Sequence, residues 1–287
     1  MSARAGRDPV LVLASRVGPD EKCLLTALRR GGHAAEVLDI NALHRAASDP
    51  AGPGGLVLNR EIGQVRARYA ATMLEAAGMT VVNSAAAVQT CGDKWLTSLA
   101  LARAGLPAPR TVLAASPAAA GEAAAELGFP VVLKPLIGSW GRLVTRVRDA
   151  EEAATVLEHV AAQPSPQAQV VYLQEYVDKP GHDLRALVVR GEVVAAMRRY
   201  ADDWRTNVSR GGRTEPCVLD PDTEKLAVRA AEATGADIAG VDLAENRAGA
   251  VLVLEVNHRV EFAGLQRAHD GLDIAATIVD RIVGGAS

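Results

Sequence analysis

The sequence predicts a mixed α/β chain in which a parallel-sheet domain is followed by α+β units with antiparallel strands. Three observations carry that prediction. Strand and helix patterns alternate from the N-terminus to about residue 86, the signature of a parallel sheet with helices on both faces. Beyond residue 169 apolar runs follow one another across short turns, as hairpins do. Two Val/Leu-rich runs, Ile238–Ala244 and Val251–Val256, flank a polar connection at Glu245–Gly249 and read as one hairpin.

The elements follow in order. Val10–Ala14 reads as a strand, and Pro19–Arg30 as a helix that Gly31-Gly32 stops. Ala34–Ile40 is a second strand, Ser48–Gly55 a Pro/Gly loop, and Leu56–Leu58 a third strand. Val65–Ala77 is helical, Gly78 caps it, and Met79–Asn83 returns to strand. No GxGxxG follows the first strand, which argues against a dinucleotide site. Gly92–Ala104 reads as one helix ended by Gly105, followed by a strand at Thr111–Ala114 and a helix at Pro117–Leu127. Val131–Pro135 and Leu143–Val147 are strands around a glycine loop, and Ala150–Ala162 is helical. Val170–Val177 is a strand stopped at Asp178-Lys179-Pro180-Gly181. Leu184–Arg190 and Glu192–Tyr200 pair about Gly191, Asp222–Thr234 is helical, and Gly271–Ile282 is the last helix.

Composition narrows the function classes. A chain of 287 residues, 49% apolar, buries an ample core. A net charge of −3 argues against a nucleic-acid binder, which needs a basic surface. Cys23, Cys91 and Cys217 include no CxxC, which excludes the usual zinc spacings and fits a reducing cytoplasm. No apolar h-region or membrane-length run appears, so a cytoplasmic protein without a membrane partner is expected.

Several residues stand out chemically. Glu255 and Asn257 share a strand face at i, i+2 spacing, and a hairpin brings Asp242 across to it. Two carboxylates and an amide are hard oxygen donors of the kind Mg²⁺ takes alongside water and phosphates. A hairpin whose polar ends simply reach solvent is the alternative. Lys134 precedes a loop containing Gly138, Ser139, Trp140, Gly141 and Arg142. Its glycines let backbone N–H groups turn to phosphate, with Lys134 as a fixed charge; a hairpin with Lys134 in solvent is the other reading. Lys94 starts a helix, where the dipole favours an anion, or is a surface lysine. Glu175, Tyr176 and Val177 end a strand at a domain hinge, where backbone groups could meet an adenine edge; an ordinary strand end is an equally good reading. Asp183 follows as a candidate for ribose hydroxyls. Arg185, Arg198, Arg199, Arg205, Arg210 and Arg213 cluster in a nearly neutral chain, either as a solvated face or as forks for phosphate and carboxylate.

In that order these pieces resemble the ATP-grasp superfamily and, within it, the RimK-type ligases. More narrowly, VNSAAAVQTCGDKWLTSLAL, LKPLIGSWGRL, QEYVDKPGHDLR, WRTNVSRGG and EVNHRVEF resemble the lysine-biosynthesis ligases that join α-aminoadipate to a small acidic amino-group carrier protein. The resemblance implies an ATP-grasp fold with a Rossmann-like N-terminal domain over 1–86, a central ATP-binding subdomain over 87–176 and a C-terminal antiparallel subdomain over 177–287. It implies ATP at Lys94, Lys134, the Gly138–Arg142 loop, Gln174 to Val177, Asp183 and Asn207, and Mg²⁺ at Asp242, Glu255 and Asn257. Arg185, Arg198 or Arg199, Val208, Ser209, Glu261, Phe262, Ala263, Gly264 and Leu265 would border the amino acid, with Arg205, Arg210 and Arg213 as catalytic cations. The implied reaction phosphorylates a carboxylate and lets an amine attack the acyl phosphate; a homo-oligomer, dimer or tetramer, is also expected. Such carrier ligases tend to carry Lys-Asn after the Glu-Phe pair, whereas this chain has Ala263-Gly264, which leaves the substrate side chain open. A ligase of free amino acids or of another protein tail is a second reading. A nucleotide-binding regulator without catalysis is a third, against which both lysines and the intact acid set speak.

Overall fold

A computed structural model describes residues 9–138, 143–201, 203–204, 206 and 213–284. Strands β1 (Val10–Ala14), β2 (Ala35–Asp39), β3 (Leu56–Asn59) and β4 (Thr80–Val82) form a sheet in the order β2-β1-β3-β4, parallel at every pairing. Helix α1 (Pro19–Arg30) starts at Gly18, whose N–H donates to Glu21 Oε2 at 2.9 Å. Helix α2 (Gln64–Ala76) lays Ala70, Ala71 and Leu74 against Leu13, Val57 and Val81 on one face of the sheet.

Ser84 and Asp93 divide the next stretch into two helices, α3 (Ala85–Gly92) and α4 (Lys94–Arg103). Asp93 Oδ1 accepts from the N–H groups of Trp95 and Leu96 at 2.9 and 3.1 Å. A single helix over Gly92–Ala104 is therefore corrected: an aspartate that satisfies two first-turn donors starts a helix.

A second sheet, ordered β5-β8-β6-β7, is antiparallel throughout. It contains β5 (Thr111–Ala114), β6 (Val131–Lys134), β7 (Thr145–Val147) and β8 (Val171–Glu175). Its odd positions Val131, Leu133 and Leu173 pack on α5 (Pro117–Leu127) and α6 (Ala150–Ala161). Lys134, Tyr172 and Gln174 take the opposite face by alternation.

The third sheet has the order β11-β10-β9-β12-β13. Its strands are β9 (His182–Val189), β10 (Glu192–Tyr200), β11 (Arg213–Pro216), β12 (Ile238–Glu245) and β13 (Val251–Asn257). Leu184, Ala186, Val188, Val241 and Leu243 pack on α7 (Pro221–Thr234). The face with Leu187, Val189 and Met197 joins one core with β1, α1 and the two last helices, α8 (Ala263–Ala268) and α9 (Ile274–Gly284). The C-terminal helix thus packs between α1 and strands β9 and β10 of the third sheet. Helix α8 has six residues, too short a run for its periodicity to stand out in the sequence.

Candidate active site

A cavity of about 600 Å³ opens between the second and third sheets, with Ile62 and Gln64 of the N-terminal region also lining it. The second sheet turns Lys134 and Gln174 toward it, and the third turns Asp183, Arg185, Arg199, Asp242, Glu255 and Asn257. Gln64 of α2 and Lys94 of α4 also line it.

On the second-sheet side, Lys134 Nζ donates to Gln174 Oε1 at 2.6 Å. Gln174 is buried and also donates to Tyr172 Oη at 3.1 Å, so the lysine rests on a fixed acceptor. Burial pushes the Lys134 ammonium down to about 8; Glu255 opposes the shift, and Lys94 and Lys179 add to it. Lys94, the first residue of α4, donates to the Gly138 carbonyl at 2.9 Å and lies 3.6 Å from Glu255 Oε1. Two ammonium groups that approach one cavity from different helices and strands form a receptor for an anion. Glu175, Tyr176 and Val177 line the same side. Trp204 packs edge-on to Tyr176 with ring centroids 6.0 Å apart, and the Arg146 guanidinium lies 5.0 Å from the Tyr176 ring.

The third sheet supplies the opposite wall. Asp183 stands opposite Arg199 across β9 and β10, and Asp242 stands opposite Arg185 and Glu255 across β9, β12 and β13. Arg199 Nε donates to Asp183 Oδ1 at 2.7 Å while its Nη2 lies 3.0 Å from Asp242 Oδ1. Arg185 holds Asp242 through both of its carboxylate oxygens. Lys179 Nζ reaches Asp183 Oδ2 at 3.3 Å and Thr206 Oγ1 at 2.9 Å. Burial works to raise the Asp183 carboxyl, but Arg199 and Lys179 outweigh it and hold it below the usual carboxylate range. Burial likewise works against the Arg199 charge, and Asp242 and Asp183 more than compensate. Gly240 makes room for this network, because a Cβ there would stand 3.0 Å from Arg185 Nη1.

Glu255 and Asn257 lie one strand repeat apart on this wall, both partly exposed to the cavity. Among the described residues no three His, Cys, Asp or Glu form a closed cage. Two open oxygen donors with Asp242 beside them fit Mg²⁺, which takes few carboxylates and keeps water or phosphate in its other positions. Asp242 is the least open of the three, its oxygens shared with two guanidinium groups. His258, next along the chain, lines the cavity; burial, then Arg259 and Arg60, push its imidazole down to about 4.

The structure separates several residues that the sequence grouped. Arg199 faces the cavity, whereas its neighbour Arg198 is exposed on the other face of β10 and does not line it, as strand alternation requires. Arg213 lies on the edge strand β11, paired with Glu215 and stacked 4.5 Å from the Tyr200 ring, away from the cavity lining. Glu261, Ala263 and Gly264 line the cavity, while Phe262 and Leu265 are buried in the core between them. Asp183 lines the cavity with its oxygens already engaged. Ser139, Trp140, Gly141, Arg142, Arg205, Asn207, Val208, Ser209 and Arg210 lie outside the described residues.

Sequence reasoning passed over Lys179, Thr206, Trp204 and Arg259, all on the cavity wall. Lys179 read only as part of a turn, although a lysine four residues before Asp183 in a lysine-poor chain was a usable signal. Arg259 ties the wall to the N-terminal sheet. Its Nε donates to the Arg60 carbonyl at 2.9 Å, and its two Nη atoms lie 3.3 Å from Glu21 Oε1 and 3.1 Å from Glu261 Oε1. Nothing in the local sequence marks that long-range set.

Comparison with known proteins agrees with this geometry. Residues 10–90 match the LysX preATP-grasp domain and residues 91–282 the RimK-like ATP-grasp domain. The glutamate–LysW ligase ArgX of Sulfolobus acidocaldarius is 30% identical over 275 residues, 95% of this chain and 97% of that protein. The α-aminoadipate–LysW ligase LysX of Saccharolobus solfataricus is 31% identical over 216 residues, 75% of this chain and 78% of that protein. The crystal structure of a RimK domain ATP-grasp protein from Sphaerobacter thermophilus superposes with a TM-score of 0.78 at 27% identity, covering 95% of this chain and 98% of that one. A cavity with two inward lysines facing an acid-and-arginine sheet, in a chain matched by these domains along nearly its whole length, belongs to an ATP-grasp ligase of the RimK-like family.

Proposed function

We propose that this ligase forms an isopeptide bond between the C-terminal glutamate of a small acidic amino-group carrier protein of the LysW type and the α-amino group of an amino acid. The observation that carries the reading is the convergence of Lys94 and Lys134 on a wall bearing Glu255, Asn257 and two clamped arginines. The likeness to ligases named for LysW, over 95% of this chain for one and 75% for another, supports the choice of acceptor.

In this reading Lys134 and Lys94 bind the ATP phosphates, where their charge counts for more than in water because the site is partly desolvated. The backbone of Glu175 to Val177 meets the adenine, with Tyr176 and Trp204 as the adjoining aromatic wall. A carboxylate oxygen of the carrier attacks the γ-phosphorus and ADP leaves. The amino-acid nitrogen then attacks the acyl carbon, phosphate leaves, and the nitrogen sheds a proton. Glu255 and Asn257, with Asp242 behind them, would hold Mg²⁺, which would supply neutralisation of phosphate charge when bound. Arg199 and Arg185 stay fixed by Asp183 and Asp242 and present their remaining N–H groups to the transferring oxygens. Positioning and charge carry the reaction, and no nucleophilic side chain is called for.

The test is incubation with ATP, Mg²⁺, LysW and a panel of amino acids, read by intact-protein mass and ADP release. The expected outcome is a LysW mass increase by one amino acid less water, dependent on its terminal glutamate. Amide formation from free glutamate with LysW left unmodified overturns the carrier reading.

A further inference from the structure

Helix α2 has a buried side and an exposed one. The buried side is small and apolar; the exposed side carries two large apolar residues among its polar ones, where a solvent-facing helix is ordinarily polar. Val65 and Tyr69, one turn apart, are 52% and 57% exposed, and Ile62, just before the helix, is 45% exposed. Single exposed apolar residues are ordinary, but three large ones within eight positions beside a cavity have the composition of an interface centre. Ile62 and Gln64 themselves line the cavity, so the apolar face continues into the site.

The charges on this face have one sign. Arg66 Nη2 donates to Asn41 Oδ1 at 2.8 Å, and the Arg68 guanidinium lies 4.7 Å from the Tyr69 ring. Both cations are held by neighbours, and among the described residues neither has a carboxylate partner. From Ile62 to Leu74 the chain has no acidic residue; the next, Glu75, accepts from the Ala85 N–H at 2.8 Å. A second copy of the chain related by a two-fold axis would bring this arginine-bearing face against itself, with no acidic residue between Ile62 and Leu74 to offset the charge. An acidic partner meets no such repulsion, and Arg267 adds a further cation to the cavity lining.

We propose that Val65 and Tyr69, rimmed by Arg66 and Arg68, form the docking surface for the folded part of an acidic protein substrate whose terminal carboxylate enters the cavity past Ile62 and Gln64. The inference rests on the carrier reading above and adds where the carrier sits. Arg213, by contrast, is paired with Glu215 on an edge strand and does not line the cavity.

The test uses the full chain with LysW as probe and the double variant Val65→Asp/Tyr69→Glu, neither residue lining the cavity. The KM for LysW is expected to rise about tenfold or more, with the KM values for ATP and amino acid, the kcat and the melting temperature unchanged. The Arg68→Ala variant is expected to show a weaker salt dependence of the LysW KM than wild type. An unchanged LysW KM in the double variant overturns the docking surface while leaving the carrier reading intact. A parallel rise in the ATP and amino-acid KM values overturns it too, because the residues would then act on the cavity. So does a fall in solution mass by sedimentation, which would give this face to a second copy. Wild-type enzyme that leaves LysW unmodified removes the carrier reading first, and the docking surface with it.

Discussion

Arg199 and Asp183 stand opposite each other in the register of β10 and β9, joined by a 2.7 Å hydrogen bond from Nε to Oδ1. Both are buried, and the same guanidinium reaches Asp242. Removing one partner of a buried pair strands the other charge. Arg199→Met should therefore cost roughly 3 kcal/mol in urea unfolding, the low end of such losses because Lys179 and Arg185 remain beside the two carboxylates. Arg198→Ala, on the exposed side of the same strand, should change stability by no more than about 0.5 kcal/mol. Equal effects at the two positions would contradict the strand register.

Lys134 gives the site a pH dependence. Its ammonium titrates at about 8 because burial disfavours the charge. Below that pH Lys134, the proposed phosphate contact, is charged; above it the charge is lost. ATP affinity should therefore fall as pH rises through about 8, by up to about tenfold per pH unit, while Lys134→Met binds weakly and without that slope. The stability effect has the opposite sense. Between about 8 and the ordinary 10.5 the unfolded chain binds the proton that the folded chain has released, so this group's contribution to stability rises with pH across that window. Calorimetric ATP titrations and melting curves on both proteins from pH 7 to pH 10 would check the two signs; a pH-independent ATP affinity in wild type would remove Lys134 from the phosphate site.

Glu255 is the most open carboxylate on the third-sheet wall, and its 3.6 Å approach to Lys94 is the sole ion pair it makes among the described residues. Glu255→Gln should lower ligation by at least about two orders of magnitude, since charge neutralisation at a phosphoryl group is worth several kcal/mol. Its melting temperature should match wild type. Wild-type turnover at ordinary Mg²⁺ would place the cation elsewhere.

Glu261 and Phe262 are adjacent in sequence and separate in role. Phe262 is buried in the core joining α1 and α9, with the Arg60 guanidinium 5.7 Å from its ring. Phe262→Ala should destabilise the chain by about 3–5 kcal/mol. Glu261 lines the cavity from an exposed position, so Glu261→Gln should shift the KM for the amino acid and leave the melting temperature unchanged. Chemical unfolding and steady-state kinetics on the pair would separate these roles, and a stability loss at Glu261 matching that at Phe262 would refute them.

The chemistry of the site was legible where it followed from alternation. Glu255 and Asn257 were readable as one strand face, and the hairpin brought Asp242 opposite Glu255 as expected. The two inward lysines were readable as candidates, but spacing alone left each balanced against a solvent position. Arg198 and Arg199 could not be told apart, because adjacent strand residues point to opposite faces and only the pairing of Arg199 with Asp183 says which face meets the cavity.

What the sequence determined by itself was local: the strand and helix periods, the stop at Gly31-Gly32, the turn before β9, and the order of motifs that marks the ligase family. These depend on side chains a few positions apart, so the chain carries them wherever it folds. Tertiary structure alone decided that α9 packs on α1 and the third sheet in one shared core, that Arg259 bridges Glu21 to Glu261, and that Phe262 is buried while Glu261 borders the cavity. Each of those facts is a contact between residues far apart in the chain or a choice of face made by packing. Such contacts form because apolar surface must be buried and charge must be paired at once, a condition on the whole assembled molecule that no short stretch of sequence states.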